Sequence, residues 1–316
     1  MRVLVTGADG FIGRTLVERL LQAAAPLGLS KLILLDQRFE QRAQDPRVQQ
    51  LAGDIAGPTL LRRALADGVQ FVFHLASVPG GQAERDHALG QRVNLGATLE
   101  LFSQLREQAR PPVVVFASSI AVYGARLPAV MDESTQSAPH LSYGAQKVIG
   151  EVLLRDFSRR GWIDGRALRL PGVVARPRAP AGQTSGLMSA YMSEVMHALA
   201  AGEPFVCPVS EQAVSWWMSA ACCVDNLLHA AALPSTQVNE QRTWVLPVLR
   251  FTMAQLVDAL ARRFGDDRRA FVRYAPDAAL EAAFGRYPEL RTPLAQSVGF
   301  TSDGNIDALV GNALHV

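Results

Sequence analysis

The first thirteen residues constrain the fold more than any other stretch. Arg2-Val3-Leu4-Val5-Thr6 is a short run of β-branched and apolar types, as in a buried strand. It runs directly into Gly7-Ala8-Asp9-Gly10-Phe11-Ile12-Gly13, and a helix-like segment follows from Arg14 to Ala25. Strand, glycine turn and helix in that order form the setting in which glycines cradle a dinucleotide. The glycines stand three apart, which is not the G-x-G-x-x-G spacing, yet each has a physical role. Gly7 permits a tight turn, Gly10 lets backbone amides approach a pyrophosphate, and Gly13 lets the helix pack close to the strand. The helix N-terminus near Phe11 and Ile12 adds partial positive charge for the phosphates. An ordinary turn with packing glycines is the competing explanation.

A second apolar run, Leu32-Ile33-Leu34-Leu35, ends on Asp36. A carboxylate at that strand end takes ribose hydroxyls and repels a 2′-phosphate, so NAD is expected over NADP. Arg38, two residues on, keeps NADP open. Val48 to Leu51 suggests a third strand, followed by Gly53-Asp54-Ile55. Asp54 either reaches the adenine edge or caps a helix over Pro58 to Ala66. Phe71 to Ala76 is a fourth strand and runs into Ser77-Val78-Pro79-Gly80-Gly81, a loop where α/β sheets bind ligands. His74, inside an apolar run, is expected to be buried and hydrogen-bonded, not catalytic. Residues 82–109 read as one long helix containing Asn94. Val113 to Ala117 is a fifth strand closed by Ser118-Ser119, and Arg166 to Leu170 a sixth. The alternation predicts an α/β fold, a doubly wound parallel sheet of the Rossmann type, over residues 1–170.

From Pro171 the composition shifts. Residues 176–186 form a long Pro- and Gly-rich loop, and such loops are usually functional. A helix over 187–201, a strand at 205–207, helices over 221–232 and 252–264 and a strand at 244–246 are expected, with Thr252 as an N-cap. Trp216-Trp217-Met218 is a bulky patch, either an apolar wall or core. Residues 171–316 read as a smaller mixed α/β substrate domain over the ligand edge of the sheet, with some segments returning to that sheet.

Composition closes off several classes. With 316 residues, 49% of them hydrophobic, the chain can build one large domain or two coupled ones. A net charge of +2 without a long basic run asks for neither nucleic acid nor an anionic membrane. Three cysteines without paired spacing give no disulfide framework and no metal site. No secretory leader precedes the first strand, and no apolar run approaches the roughly 20 residues that span a bilayer. A cytoplasmic protein is expected.

Against this frame, Tyr143 and Lys147 acquire meaning. They stand four apart in a helical segment and so share one face. An ammonium beside a phenol favours the phenolate, which lets tyrosine act as a general base near neutral pH.

The glycine turn, Asp36, Ser118-Ser119 and the Tyr143/Lys147 pair occur in the order that resembles the extended short-chain dehydrogenase/reductase family. The resemblance covers nearly the whole chain. It includes the T-G-x-x-G-x-x-G turn, Asp54, the His-Leu-Ala strand end, Asn94, Ser-Ser-x-x-Val-Tyr-Gly and Tyr-x-x-x-Lys. It implies an NAD-dependent enzyme with Tyr143 as base, Lys147 as its supporting cation and Ser119 as the catalytic hydroxyl. It also implies cofactor contacts at Gly7, Gly10, Phe11, Ile12, Gly13, Asp36, Asp54, Ile55, Leu75, Ala76, Asn94, Tyr143, Lys147 and Pro171. A homodimer is expected through the 82–109 segment and the Tyr143 helix.

The nucleotide-sugar members carry an arginine that binds the diphosphate. The matching stretch here looks like Val214-Ser215-Trp216-Trp217-Met218, and valine cannot pair with a phosphate. Residues 145–151, 158–161, 166–171 and 207–209 look closest to the D-erythronate dehydrogenase branch, whose members oxidise the hydroxyl beside the carboxylate of a four-carbon sugar acid. The resemblance therefore implies a small sugar-acid substrate. Arg176 is the leading carboxylate partner, with a loop-bracing ion pair as its alternative. Ser77, Thr184 and Ser185 are placed on the remaining hydroxyls, beside Ser119 and Tyr143. Arg169 reads as structural. An epimerase or a uronate dehydrogenase of the same family is the alternative, and a dinucleotide-sensing regulator without turnover lies further off.

Overall fold

The computed structural model describes residues 1–178 and 188–315. Five strands open the chain: β1 (Arg2–Thr6), β2 (Lys31–Asp36), β3 (Val48–Ala52), β4 (Phe71–His74) and β5 (Val113–Ser119). Their pairings, β3 with β2, β2 with β1, β1 with β4 and β4 with β5, are all parallel. The short β6 (Val130–Met131) stands outside this sheet, while β7 (Asp164–Leu170) joins it beside β5. Further on come β8 (Gly172–Val174), β9 (Phe205–Cys207), β10 (Val214–Ser219) and β11 (Thr243–Val245). The last of these completes a seven-stranded sheet in the order β11-β7-β5-β4-β1-β2-β3.

The strand order reverses between β1 and β4. The near-continuous apolar character of β1, β2, β4 and β5 follows from burial on both faces. Helices supply the cover: α1 (Phe11–Gln22), α2 (Ala24–Leu27), α3 (Pro58–Leu65), α4 (Gly80–Arg85), α5 (His87–Gly90), α6 (Ala97–Leu105) and α7 (Ser142–Arg159).

The expected single helix over 82–109 is broken. Asp86 leaves the helical region at φ −129°, its side chain accepts from Leu89 N, and a π-helical stretch over Gln91–Gly96 precedes α6. An aspartate inside a helical pattern competes for backbone amides, and here it starts a new helix. At the glycine turn, α1 begins at Phe11, three residues before the expected Arg14, because Gly10 already serves as its cap.

The chain divides into two compact units: residues 1–122, 139–169 and 224–244, and residues 123–138, 170–223 and 245–316. The second has a core of its own, built from Val195, Met196, Leu199, Trp217, Leu256 and Leu260 on α8 (Tyr191–Ala201), β10, and α10 (Met253–Phe264). In chain order α9 (Ala220–Ala232) falls between α8 and α10. Thr252 caps α10 in a reciprocal arrangement with Gln255. The strand β10 was not expected from the sequence; it lies between β8 and the antiparallel β12 (Leu249–Thr252). Both tryptophans are core. Trp217 stacks on Phe251 at 5.1 Å, and Trp216 donates Nε1 to Pro288 O at 2.8 Å. Cys207, Cys222 and Cys223 are buried and stand outside any disulfide. Among the described residues no helix is long and apolar enough to cross a membrane.

Candidate active site

The reversal between β1 and β4 opens a crevice at the carboxyl ends of these strands, where open α/β sheets take ligands. Gly7 occupies it at φ +70°, and a Cβ there would stand 2.7 Å from Ala76 N. A Cβ on Gly13 would stand 2.1 Å from Gly7 O. The turn can therefore only be built from glycine, and it leaves backbone exposed to a ligand. Gly10, the cap residue of α1, has no side chain of its own to bond the first amides of the helix.

Asp36 ends β2 beside this turn. Its Oδ2 accepts from Asp9 N at 2.8 Å and its Oδ1 from Gln37 N at 2.7 Å. Each carboxylate oxygen retains a second lone pair for a ribose hydroxyl. Burial raises the carboxyl above its ordinary value, against those two backbone donors. Arg38 is exposed. Asp54 accepts from Ala56 N at 3.0 Å and pairs with Arg92. It does not cap the next helix, since Gly57 is the cap of α3 and Pro58 its first residue. Ile55 packs into the core of this unit, while Leu75, Ala76 and Ser77 are partly exposed.

Two buried groups hold the loop after β4. His74 is clasped between Thr6 Oγ1 and Thr98 Oγ1 at 2.7 and 2.9 Å, as its apolar setting led us to expect. The Asn94 amide accepts from Val78 N at 2.7 Å and donates to Val78 O and Gln146 Oε1. Asn94 thus braces the 77–81 loop from the π-helical stretch.

On the other side of the crevice, Ser119 ends β5 and its Oγ accepts from Ala121 N at 3.1 Å. The first turn of α7 docks onto this turn through Gly144, where a Cβ would stand 2.4 Å from Ala121 O. That close approach places Tyr143 beside the end of β5. A Cβ on Gly80 would meet the Tyr143 side chain at 3.7 Å, so the loop after β4 reaches the same point. Lys147, one turn along, is only 3% exposed. Its Nζ donates to Ala117 O at 2.7 Å, and lies 4.9 Å from the Phe116 ring centroid and 5.5 Å from that of Tyr143. Burial pushes Lys147 down to about 7, with the Glu151 charge opposing.

Glu151 and Arg169 complete this region, and sequence reading did not single them out as site residues. Arg169 grips Glu151 through Nε and Nη2, and Ser118 Oγ donates to the same carboxylate. The available signal was the i, i+4, i+8 spacing of Tyr143, Lys147 and Glu151.

In the second unit, Pro171 is buried between β7 and β8. Arg176 is fixed through its backbone, with its N donating to Ser193 Oγ at 2.9 Å and its O accepting from His197 Nε2 at 2.8 Å. Arg178 forms an exposed pair with Glu203. Thr184 and Ser185 lie outside the described residues. Val214 is tied into its strand by bonds to Gly285 O and from Tyr287 N.

Residues 3–244 match the profile of the NAD dependent epimerase/dehydratase family. A D-erythronate dehydrogenase of Cupriavidus necator is 38% identical over 317 residues, spanning 98% of this chain and 97% of that protein. A second D-erythronate dehydrogenase, from Haemophilus influenzae, is 32% identical over 312 residues, spanning 98% of each. The crystal structure of a nucleoside-diphosphate-sugar epimerase from Agrobacterium tumefaciens superposes with a TM-score of 0.90 at 31% identity, over 98% of this chain and 92% of that one.

Proposed function

The chain belongs to the NAD dependent epimerase/dehydratase family, and from that membership we propose that it is an NAD-dependent dehydrogenase of a small sugar acid. D-Erythronate is the proposed substrate and 2-oxo-D-erythronate the product. The observation that carries the chemistry is the buried Lys147, anchored on Ala117 O beneath the Tyr143 ring. The substrate is supported by end-to-end similarity to two D-erythronate dehydrogenases, and by an apolar Val214 where nucleotide-sugar enzymes need a cation.

NAD would be held by the backbone from Gly7 to Gly13, by Asp36 at the adenosine ribose, and by the stretch from Leu75 to Ser77. The backbone cradle and the half-buried Asp36 carboxylate fit such a group. When bound, its nicotinamide ring supplies the acceptor for the hydride that leaves the substrate carbon. The chain does the rest. Tyr143 takes the proton of the substrate hydroxyl, and Lys147 favours the phenolate needed for that step. Ser119 donates to the same substrate oxygen and fixes its position. Arg176 is the proposed ligand of the substrate carboxylate, since guanidinium binds carboxylates in a bidentate way.

A homodimer is part of the proposal. Leu99 on α6 and Ile149 and Val152 on α7 are 45%, 44% and 49% exposed, on two helices that touch each other.

A panel of four- to six-carbon aldonates, uronates and free sugars, followed by NADH absorbance, tests the proposal. D-Erythronate should give the highest kcat/KM, and the absence of NADH from every acid would end the dehydrogenase assignment. A second function, epimerisation, is favoured by the 31% identical epimerase structure. It predicts substrate interconversion without net NADH.

A further inference from the structure

The face of α7 that carries Tyr143 and Lys147 continues one turn further to Glu151. Glu151 is 7% exposed, and both of its oxygens are held. Arg169 of β7 donates Nε to Oε1 at 2.9 Å and Nη2 to Oε2 at 2.8 Å. Ser118 of β5 donates Oγ to Oε1 at 2.5 Å. A carboxylate gripped by a bidentate guanidinium and a hydroxyl has no freedom to rotate.

Such a clasp has a cost as pure structure. Replacing a buried ion pair by apolar residues of similar volume is often neutral or stabilising, so a pair like this needs another reason to exist. Its location supplies one. Ser118 adjoins Ser119, and the Ala117 carbonyl beside it accepts the Lys147 ammonium. The clasp is thus built from the same strand end and the same helix face as the proposed catalytic groups.

On the basis of the function proposed above, we infer that Glu151 is a positioning residue, fixed by Ser118 and Arg169, that keeps Lys147 an ammonium beneath Tyr143. The groups that face Lys147 are few. Its own helix gives Tyr143 and Glu151; β4 gives His74, which burial holds neutral down to about 3. From β7, Arg169 acts through Glu151, and β5 contributes the Ala117 carbonyl, the Ser118 hydroxyl and the Phe116 ring. Among the described residues that face it, Glu151 alone brings a carboxylate. Burial pushes Lys147 toward its neutral form, and Glu151 works in the opposite direction. Without that anion Lys147 gives up its proton at lower pH, and the Tyr143 phenolate then forms only at higher pH.

The test is kcat against pH for the parent protein, Glu151→Gln, Glu151→Asp, Ser118→Ala and Tyr143→Phe, with one acid substrate and saturating NAD. Glu151→Gln should move the rising limb up by about one pH unit, a roughly tenfold loss at neutral pH that is regained in alkali. The KM for NAD should hardly change. Glu151→Asp keeps the charge and should return the limb to its parental position. Ser118→Ala loosens the carboxylate and should move the limb less, in the same direction. A Glu151→Gln limb that coincides with the parent's, with only a lower melting temperature, would make the clasp structural and overturn the inference. If Glu151→Gln does not fold, an unmoved Ser118→Ala limb overturns it equally. Full activity in Tyr143→Phe would instead remove the proposed base, and the Glu151 role with it.

Discussion

Thr6 Oγ1 and His74 Nδ1 lie 2.7 Å apart where β1 and β4 end, and the second contact of the ring fixes which nitrogen carries the proton. Thr98 donates its hydroxyl hydrogen to Asn94 O at 2.8 Å, so it must accept from His74 at Nε2. The proton therefore sits on Nε2, and Nδ1 accepts from Thr6. The Thr6 oxygen is then free to take Ala76 N–H at 3.3 Å. One neutral imidazole thereby ties both strand ends of the crevice to α6.

His74→Leu should cost about 2 kcal/mol at pH 7.5, because two buried hydroxyls lose a partner. The pH dependence has a definite sign. Burial holds native His74 neutral down to about 3, while the unfolded chain protonates near its ordinary value of 6.5. In that window the unfolded state binds more protons, so stability falls as pH drops from 6.5 toward 3. Urea unfolding at pH 7.5, 6 and 5 should show a shallower acid loss in His74→Leu. Equal losses in both proteins would contradict the buried neutral ring.

Tyr143→Phe should retain the fold and NAD binding while kcat falls by about 100- to 10,000-fold, the usual worth of a placed general base. Lys147→Met should be equally inactive yet at least as stable as the parent. Burial disfavours the Lys147 ammonium, so removing that charge relieves a desolvation penalty that offsets the lost bond to Ala117 O. A thermal melt beside an NADH assay checks both. A large loss of stability in Lys147→Met would mean that the ammonium holds the fold together.

Six strands of the seven-stranded sheet were legible because they are apolar runs bounded by glycines and polar turns, and because Gly7 and Asp36 sit at fixed places relative to them; that Thr243–Val245 adds the seventh was not. Tyr143 and Lys147 were legible through helical spacing. What escaped was tertiary. Nothing local in Asp164–Leu170 says that Arg169 reaches Glu151, eighteen residues away in sequence. The strand Val214–Ser219 escaped because a bulky apolar run buried on both faces has no period to read. Asp86 breaks the expected long helix with a side-chain bond that spacing alone does not announce.

Asp36→Asn should shift cofactor preference toward NADP. The substitution keeps the side chain's size and an acceptor for Asp9 N, but removes the charge that would repel a 2′-phosphate. Arg38, exposed two residues on, remains to meet that phosphate. The ratio of kcat/KM for NADP over NAD should rise about tenfold, equivalent to ~1.4 kcal/mol. An unchanged ratio would remove Asp36 as the discriminating group.

Arg176→Ala should raise KM for acids far more than for neutral polyols of the same length. Loss of a bidentate charged contact costs about 2 kcal/mol or more, roughly a thirtyfold change. The backbone of Arg176 is held by Ser193 and His197, so truncating the side chain leaves the local trace in place. An equal effect on acids and polyols would end its role as the carboxylate ligand.

Ile149→Lys with Val152→Lys should convert the protein to a monomer without unfolding it. Both side chains are more than two-fifths exposed on α7, and Leu99 on the touching α6 is exposed to the same degree. Three large apolar side chains on paired helices, each a little under half exposed, forgo about 1 kcal/mol each when left in water. Covering them by the same face of a second copy forms a two-fold interface in which α6 and α7 meet their own counterparts. Two lysines on each copy would then confront two on the other, and like charges at an interface core oppose association. Light scattering on the parent should give twice the 34.2 kDa chain mass, and the variant should give the chain mass itself. Because α7 also carries Tyr143 and Lys147, loss of the interface should lower kcat less than Tyr143→Phe does. A parent that is already monomeric at micromolar concentration would show that these side chains cover nothing.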